Sequence, residues 1–322
     1  MIVDVMLLGL GLGILIIGGS WLVRGAAALA SALGLSPILI GLTVVAFGTS
    51  TPELVVNVAA ALRGNTEIGF GNVVGSNIAN IGLLLALAAT VVPLSVHRTL
   101  VIREIPMMFL ACCAALVLAG GPVLGEPMAG YSRGDGLMLL LLFAVFLYYT
   151  FGEAIRQRDE GGESGNARQP GEHIQEGTPI ARWIGGGLLA LILGGEIAVR
   201  GAVGVAGALG IPEVIIGLSI VAVGTSLPEL ATTLTAARRG QGDIAVGNIV
   251  GSHIYNLLFV WGLSVTIEPS LLPPGGSVDL LVMTGFSLLL LPFVVTQNLL
   301  SRWEGCVMLV GYAGYVGWLV MR

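Results

Sequence analysis

What most restricts this chain is a succession of apolar stretches from Met1 to Arg322, each near the roughly 20 residues a helix needs to cross a hydrocarbon core about 30 Å thick. Inside a bilayer, backbone N–H and C=O groups find no water, so such stretches must satisfy their own hydrogen bonds as helices. Clusters of Gly, Pro and Arg divide the hydropathy into ten expected spans: 3–31, 37–62, 68–93, 99–120, 134–155, 182–208, 213–237, 244–267, 277–297 and 303–321. The first and sixth exceed a perpendicular crossing, which predicts tilt or extension beyond the membrane. Charged residues make up 10% of the chain against about 25% in soluble domains, which excludes an ordinary soluble enzyme. All 14 basic residues are arginine in a chain of net charge −5, so no basic patch points to nucleic acid. Asp4 and the lack of a positive charge before the first apolar run predict a retained first helix, not a cleaved signal. Cys112, Cys113 and Cys306 fall in apolar segments at spacings that suit neither a mutual disulfide nor a zinc site, and read as packing residues.

The chain repeats itself. Glu53 and Glu229 are 176 residues apart, and the same offset pairs Arg24 with Arg200, Gly34 with Gly210, Gly41 with Gly217 and Pro93 with Pro269, with no gap needed between residues 18 and 94. Within the repeat, GTSTPEL at 48–54 matches GTSLPEL at 224–230, and GNVVGSNIAN at 71–80 matches GNIVGSHIYN at 247–256. Five spans per half is an odd number, so the second half must enter from the opposite side, the inverted-repeat plan of many secondary transporters. The arginines agree. With the N-terminus outside, Arg98, Arg103, Arg156, Arg158, Arg168, Arg182, Arg238, Arg239 and Arg302 fall at cytoplasmic loops or ends, leaving chiefly Arg63, Arg133 and Arg322 outside. The expected organisation is a first five-helix repeat over 1–155, a flexible cytoplasmic linker over 156–181 and a second, inverted repeat over 182–322, with both termini outside.

A carboxylate deep in a membrane span is costly and points to an interior site. Pro52 and Pro228 precede the two glutamates, each removing an amide donor and clashing with the carbonyl four residues earlier, at Gly48 and Gly224. Broken helices are expected there, with carbonyls around Ala46, Gly48, Ala222 and Gly224 turned inward, as irregular backbone at that depth must line a cavity or lie within protein. Thr49 and Glu53 share a helical face at a spacing of four, as do Thr225 and Glu229; Ser76 with Asn80 and Ser252 with Asn256 repeat that spacing on the next span. Carboxylate, hydroxyl, amide and carbonyl oxygens suit hard cations, and two carboxylates match one divalent ion, with calcium favoured over reluctantly dehydrating magnesium. Removing the ion leaves two like charges in a poorly solvated place unless protons or sodium ions replace it, so coupled exchange is expected.

The paired GTSTPE and GTSLPE segments, each followed by GN-x-VGS-x-I-x-N, resemble the alpha repeats of the calcium/cation antiporter superfamily, and most nearly its prokaryotic sodium/calcium exchangers. The resemblance covers the ten-span plan. It implies an all-α polytopic antiporter of the cell (inner) membrane that needs no cofactor and carries calcium and sodium ions as inorganic partners within the lipid bilayer. It further implies that Glu53 and Glu229 coordinate calcium with backbone oxygens of Thr49 and Thr225, that sodium sites share the glutamates and recruit Ala46, Ser50, Ser76, Ala222, Ser226 and Ser252, and that Asn80 and Asn256 complete the centre. The long first and sixth spans are implied to slide across the other eight. Family members often carry aspartate where this chain has Asn256, so both halves here present a neutral amide.

The residues also allow other readings. A calcium/proton antiporter is the alternative within transport. An intramembrane hydrolase using Ser50, Ser226 and His253 leaves the duplicated Pro-Glu unexplained. A passive channel could use the same oxygens as a filter, but inverted halves with broken helices favour a carrier. His253 stands where the first half has Asn77 and reads as a packing or helix contact in preference to a pH sensor. Glu196 stands where the first half has Ser20, four residues before Arg200 and placed to pair with it.

Overall fold

The computed structural model describes residues 1–120, 130–161, 179–209 and 222–321. Its principal helices are α1 (Ile2–Leu33), α2 (Pro37–Thr49), α3 (Thr51–Leu62), α4 (Thr66–Val91), α5 (Leu100–Leu118), α6 (Arg133–Gly161), α7 (Ile180–Ala208), α8 (Ala222–Thr225), α9 (Leu227–Arg238), α10 (Gly242–Ile267), α11 (Gly276–Gln297) and α12 (Arg302–Met321). Among the described residues, eight helices are long and apolar enough to cross a membrane singly, and α2 with α3 forms a ninth span bent by 48°. The short helices α8 and α9 repeat the end of α2 and the whole of α3 at an offset of 176 residues. The start of that tenth span, with Gly210, Glu213 and Gly217, lies outside the described residues, as does most of the expected linker. The architecture is the expected all-α inverted repeat. Helix α6 continues to Gly161, six residues past the expected end of the fifth span.

The breaks fall where the prolines require. Pro52 and Pro228 occupy the first turns of α3 and α9, where a missing N–H costs nothing. Ser50 (φ −84°, ψ 12°) and Ser226 (φ −89°, ψ 7°) are the connecting residues, both in the sparsely populated region between helix and strand. Gly64 (φ 72°) and Gly240 (φ 70°) then end α3 and α9 in the left-handed conformation that glycine adopts without strain.

Helices α4 and α10 are the most buried spans and occupy the centre. Each carries a π-helical turn, Asn80–Leu85 and Tyr255–Trp261, beginning at or one residue before the site asparagine. Such wide turns are rare and recur at functional sites. Outward faces expose Leu110, Leu141, Tyr148, Trp303 and Val310, an apolar surface for which lipid is the solvent. Two short antiparallel bridges tie the halves together at the ends of the bundle: β1 (Leu94–Ser95) pairs with β4 (Leu299–Leu300), and β2 (Gly130–Tyr131) with β3 (Ser270–Leu271).

The long helices α1 and α7 lie against each other along a glycine stripe. Gly11, Gly18 and Gly25 on α1 meet α7, and Gly187, Gly194 and Gly201 on α7 meet α1. A methyl group built on Gly18 would stand 2.9 Å from Leu191 N, and one on Gly187 2.6 Å from Leu22 N, so only glycine allows this backbone approach. Where lipid is the solvent, helices gain little from hiding apolar surface, and close van der Waals contact through small residues takes over.

Candidate ion site

Glu53 and Glu229 sit in the first turns of α3 and α9, fully buried, with the positive ends of those half-helices behind them. Among the described residues neither is held by an arginine: Arg24 lies 5.9 Å from the ring centre of Trp183, and Arg200 bonds Glu196 at 2.7 Å. Instead the two halves exchange hydroxyls. Ser50 Oγ donates to Glu229 Oε1 at 2.7 Å, and Ser226 Oγ donates to Glu53 Oε1 at 3.2 Å. These bonds are symmetry mates, and each crosses from one repeat to the other. Ser76 Oγ adds a weaker contact to Glu53 Oε1 at 3.5 Å. Its mate Ser252 turns to the broken segment of the first half, donating to the carbonyl of Ala46 at 3.4 Å. The same carbonyl also accepts the helical bond from Ser50 N at 3.0 Å and a contact from Thr49 Oγ1 at 3.3 Å, so the break at Pro52 does not free it from its own helix. Ala222 opens α8, at the equivalent backbone position.

Thr49 and Thr225 carry their hydroxyls across the repeat as well. Thr49 Oγ1 donates to Asn248 Oδ1 at 3.2 Å, and Thr225 Oγ1 to Asn72 Oδ1 at 3.3 Å. In turn, Asn72 Nδ2 reaches the carbonyl of Glu53 and Asn248 Nδ2 that of Glu229, both at 3.5 Å. Asn72 and Asn248 are site residues that sequence reasoning passed over, although both stand at the second position of the duplicated GN-x-VGS segment. Their duplication was the available signal. Each asparagine clasps a threonine from the opposite half and the backbone of a glutamate from its own.

Glu53 Oε2, Glu229 Oε2 and both side-chain polar atoms of Asn80 and Asn256 are buried and make no hydrogen bond. The structure brings Ser50, Ser76 and Ser226 to the glutamates, whereas Asn80 and Asn256 lie at the adjoining π turns without bonding to them. Buried polar atoms without partners are costly and rare, about 1–3 kcal/mol each and more when charged. Here they recur at equivalent places in both repeats. The available donors are oxygens, carboxylate and amide, the set that suits hard cations.

His253 is buried, with Nε2 3.1 Å from Cys112 Sγ, while Asn77, its mate, donates to the His253 carbonyl at 3.3 Å. That is a helix contact. It leaves Ser50 and Ser226, whose partners are carboxylates, with no imidazole beside them among the described residues. All three cysteines are free thiols; Cys112 packs inside as expected, but Cys306 is exposed on α12, a peripheral helix whose outer face can carry an apolar residue into lipid.

Inverted broken helices presenting two buried carboxylates to each other, inside an apolar-surfaced bundle, define a polytopic membrane transporter of cations. The chain belongs to the sodium/calcium exchanger family, whose sequence model, described as "Sodium/calcium exchanger protein", matches residues 3–152 and 181–321. It is 33% identical to the sodium/calcium exchanger MaX1 of Methanosarcina acetivorans over 98% of this chain and 97% of that one. It is also 36% identical to the inner membrane protein YrbG of Escherichia coli, over 77% of this chain and 74% of the relative. A solved structure of the sodium-calcium exchanger NCX_Mj, soaked with zero Na+ and Ca2+, superposes with a TM-score of 0.82 at 30% identity, covering 99% of both chains.

Proposed function

We propose that this protein exchanges sodium for calcium across the cell membrane by alternating access, with Glu53 and Glu229 as the charged ligands of both ions. The observation that carries this reading is the reciprocal Ser50–Glu229 and Ser226–Glu53 pairing, which leaves one oxygen of each buried carboxylate without a partner. Two carboxylates neutralise one calcium ion, and calcium accepts about 6–8 oxygens in flexible geometry. The carbonyl of Ala46, the hydroxyls of Ser50, Ser76, Ser226 and Ser252, backbone oxygens of Thr49, Thr225 and Ala222, and the amides of Asn80 and Asn256 supply the uncharged donors. Sodium ions, singly charged and also oxygen-seeking, fit the same set when calcium leaves. The site without any cation holds two like charges away from water, which disfavours its crossing between the two faces and couples one flux to the other. The sodium/calcium exchanger MaX1, similar along nearly the whole chain, supports sodium as the coupling ion.

The test is calcium uptake into everted vesicles under an imposed sodium gradient, then under a pH gradient alone. Sodium-driven uptake is expected. Uptake driven only by the pH gradient would replace this reading with calcium/proton antiport. Glu53→Gln and Glu229→Gln should each weaken apparent calcium affinity roughly tenfold or more, because a unit charge a few ångströms from an ion in a protein interior is worth several kcal/mol. Wild-type exchange in both variants would refute the site.

A further inference from the structure

The two repeats are alike in sequence but not in pose, and the difference marks one charged pair. Arg63 and Arg239 are symmetry mates at the ends of α3 and α9, and Ser20 and Glu196 are mates on α1 and α7, each pair 176 residues apart. At the Arg239 end the contact is made: α1 lies against α9, with Gly19 close enough that a methyl group would stand 3.0 Å from the carbonyl of Ala231 and 3.2 Å from Thr235 Oγ1, and Arg239 donates to Ser20 Oγ. At the Arg63 end the equivalent contact is absent. Among the described residues, Gly195, the mate of Gly19, has only Pro228 within 4 Å, and Val55, the mate of Ala231, is 62% exposed. Arg63 is exposed, and Glu196 turns to Arg200 on its own helix, with side chains 59% and 72% exposed. Two charges on the open face of an apolar span require water beside them. The Arg63 end of the bundle is therefore the open one in this structure.

In an inverted-repeat carrier, the opposite-facing state follows when each half takes the pose now held by the other. Helix α7 would then lie on α3 as α1 now lies on α9, and Glu196 would face Arg63 as Ser20 now faces Arg239. We propose that Arg63 and Glu196 form an ion pair in that state, a latch that closes the end open here and whose counterpart at the other end is the Arg239–Ser20 contact. The latch rests on the alternating-access reading above. It makes the two closures chemically unlike, with Glu196 at one end where Ser20 stands at the other, so the preference between faces depends on Glu196. Arg200 holds Glu196 until α7 moves.

The test is paired-cysteine crosslinking of the full chain in vesicles, in a Cys113→Ala/Cys306→Ala background with a short bifunctional maleimide, because an arginine reaching its partner holds the two α-carbons too far apart for a direct disulfide. Arg63→Cys/Glu196→Cys and Ser20→Cys/Arg239→Cys should each crosslink, and conditions that raise one yield, such as calcium against sodium, should lower the other. In the Ser20→Cys/Arg239→Cys protein, adding Glu196→Gln should raise crosslinking about two- to five-fold, the weight of an exposed ion pair. Glu196→Arg should do the same, and Arg63→Glu/Glu196→Arg should return it towards the starting value. Failure of the Arg63→Cys/Glu196→Cys bond under every ion condition, in protein that still exchanges calcium, would overturn the latch. So would a yield indifferent to Glu196→Gln. Wild-type protein without sodium-driven calcium exchange would instead overturn the transport reading, while the crosslink yields still decide the pair.

Discussion

At the scale of single residues, the site is a set of polar atoms that answer one another across the repeat. Asn248 is the clearest case: Oδ1 accepts from Thr49, and Nδ2 serves Thr233 Oγ1 at 3.0 Å and the carbonyl of Glu229 at 3.5 Å. Replacing it by leucine strands groups that are fully buried, at about 1–3 kcal/mol each. Asn248→Leu and Asn72→Leu should therefore lower the melting temperature in detergent and reduce exchange together, whereas Thr49→Val, which removes a donor but strands only one acceptor, should do less. Equal melting of all three and the wild type would dismiss the clasp. Glu53 and Glu229 were legible in the sequence because buried charge and proline are conspicuous in an apolar context, whereas Ser50 and Ser226 entered as ion ligands only through the family resemblance. Asn72 and Asn248 were not singled out, because an asparagine near a span end reads equally well as helix packing. Only the fold brings Asn72 to Thr225, 153 residues away.

The elements carry a second kind of information. The broken helices followed from Pro52 and Pro228, but the π turns at Asn80–Leu85 and Tyr255–Trp261 follow from no proline, and a single widened turn hardly disturbs an apolar span that is hydrophobic all round. The glycine stripe between α1 and α7 was equally hidden: the chain has 49 glycines, and which of them touch another backbone depends on how two helices cross. The stripe makes a selective prediction. Gly18→Val and Gly194→Val force side chains into backbone, an overpacking that costs about 1–3 kcal/mol, and should reduce both melting temperature and exchange. Gly9→Val and Gly13→Val, with nothing within 4 Å, should leave both near wild type. Equal behaviour of the two sets would mean that α1 and α7 do not ride on these glycines.

For the whole molecule, inversion was the most legible property, since the offset of 176 and an odd number of spans require it. The bridges that knit β1 to β4 and β2 to β3 were not foreseen, because two-residue pairings leave no periodicity to read. The arginine distribution also predicts a direction in the membrane. Arg98 and Arg133 are both exposed, and in an active cysteine-depleted background Arg98→Cys should react with an impermeant maleimide only from the cytoplasmic face, Arg133→Cys only from the outer face. The reverse pattern would turn the molecule over.

The exchange of Ser50 for Ser226 between the glutamates has a consequence for how such a chain could arise. Because each repeat supplies the hydroxyl that the other's carboxylate needs, neither contains a finished centre. One five-helix polypeptide, inserted into the same bilayer in both directions, would complete that centre simply by meeting an upside-down copy of itself. Joining the two genes end to end would then preserve chemistry that already worked, and only afterwards could differences such as Ser20 against Glu196 make the two faces unlike.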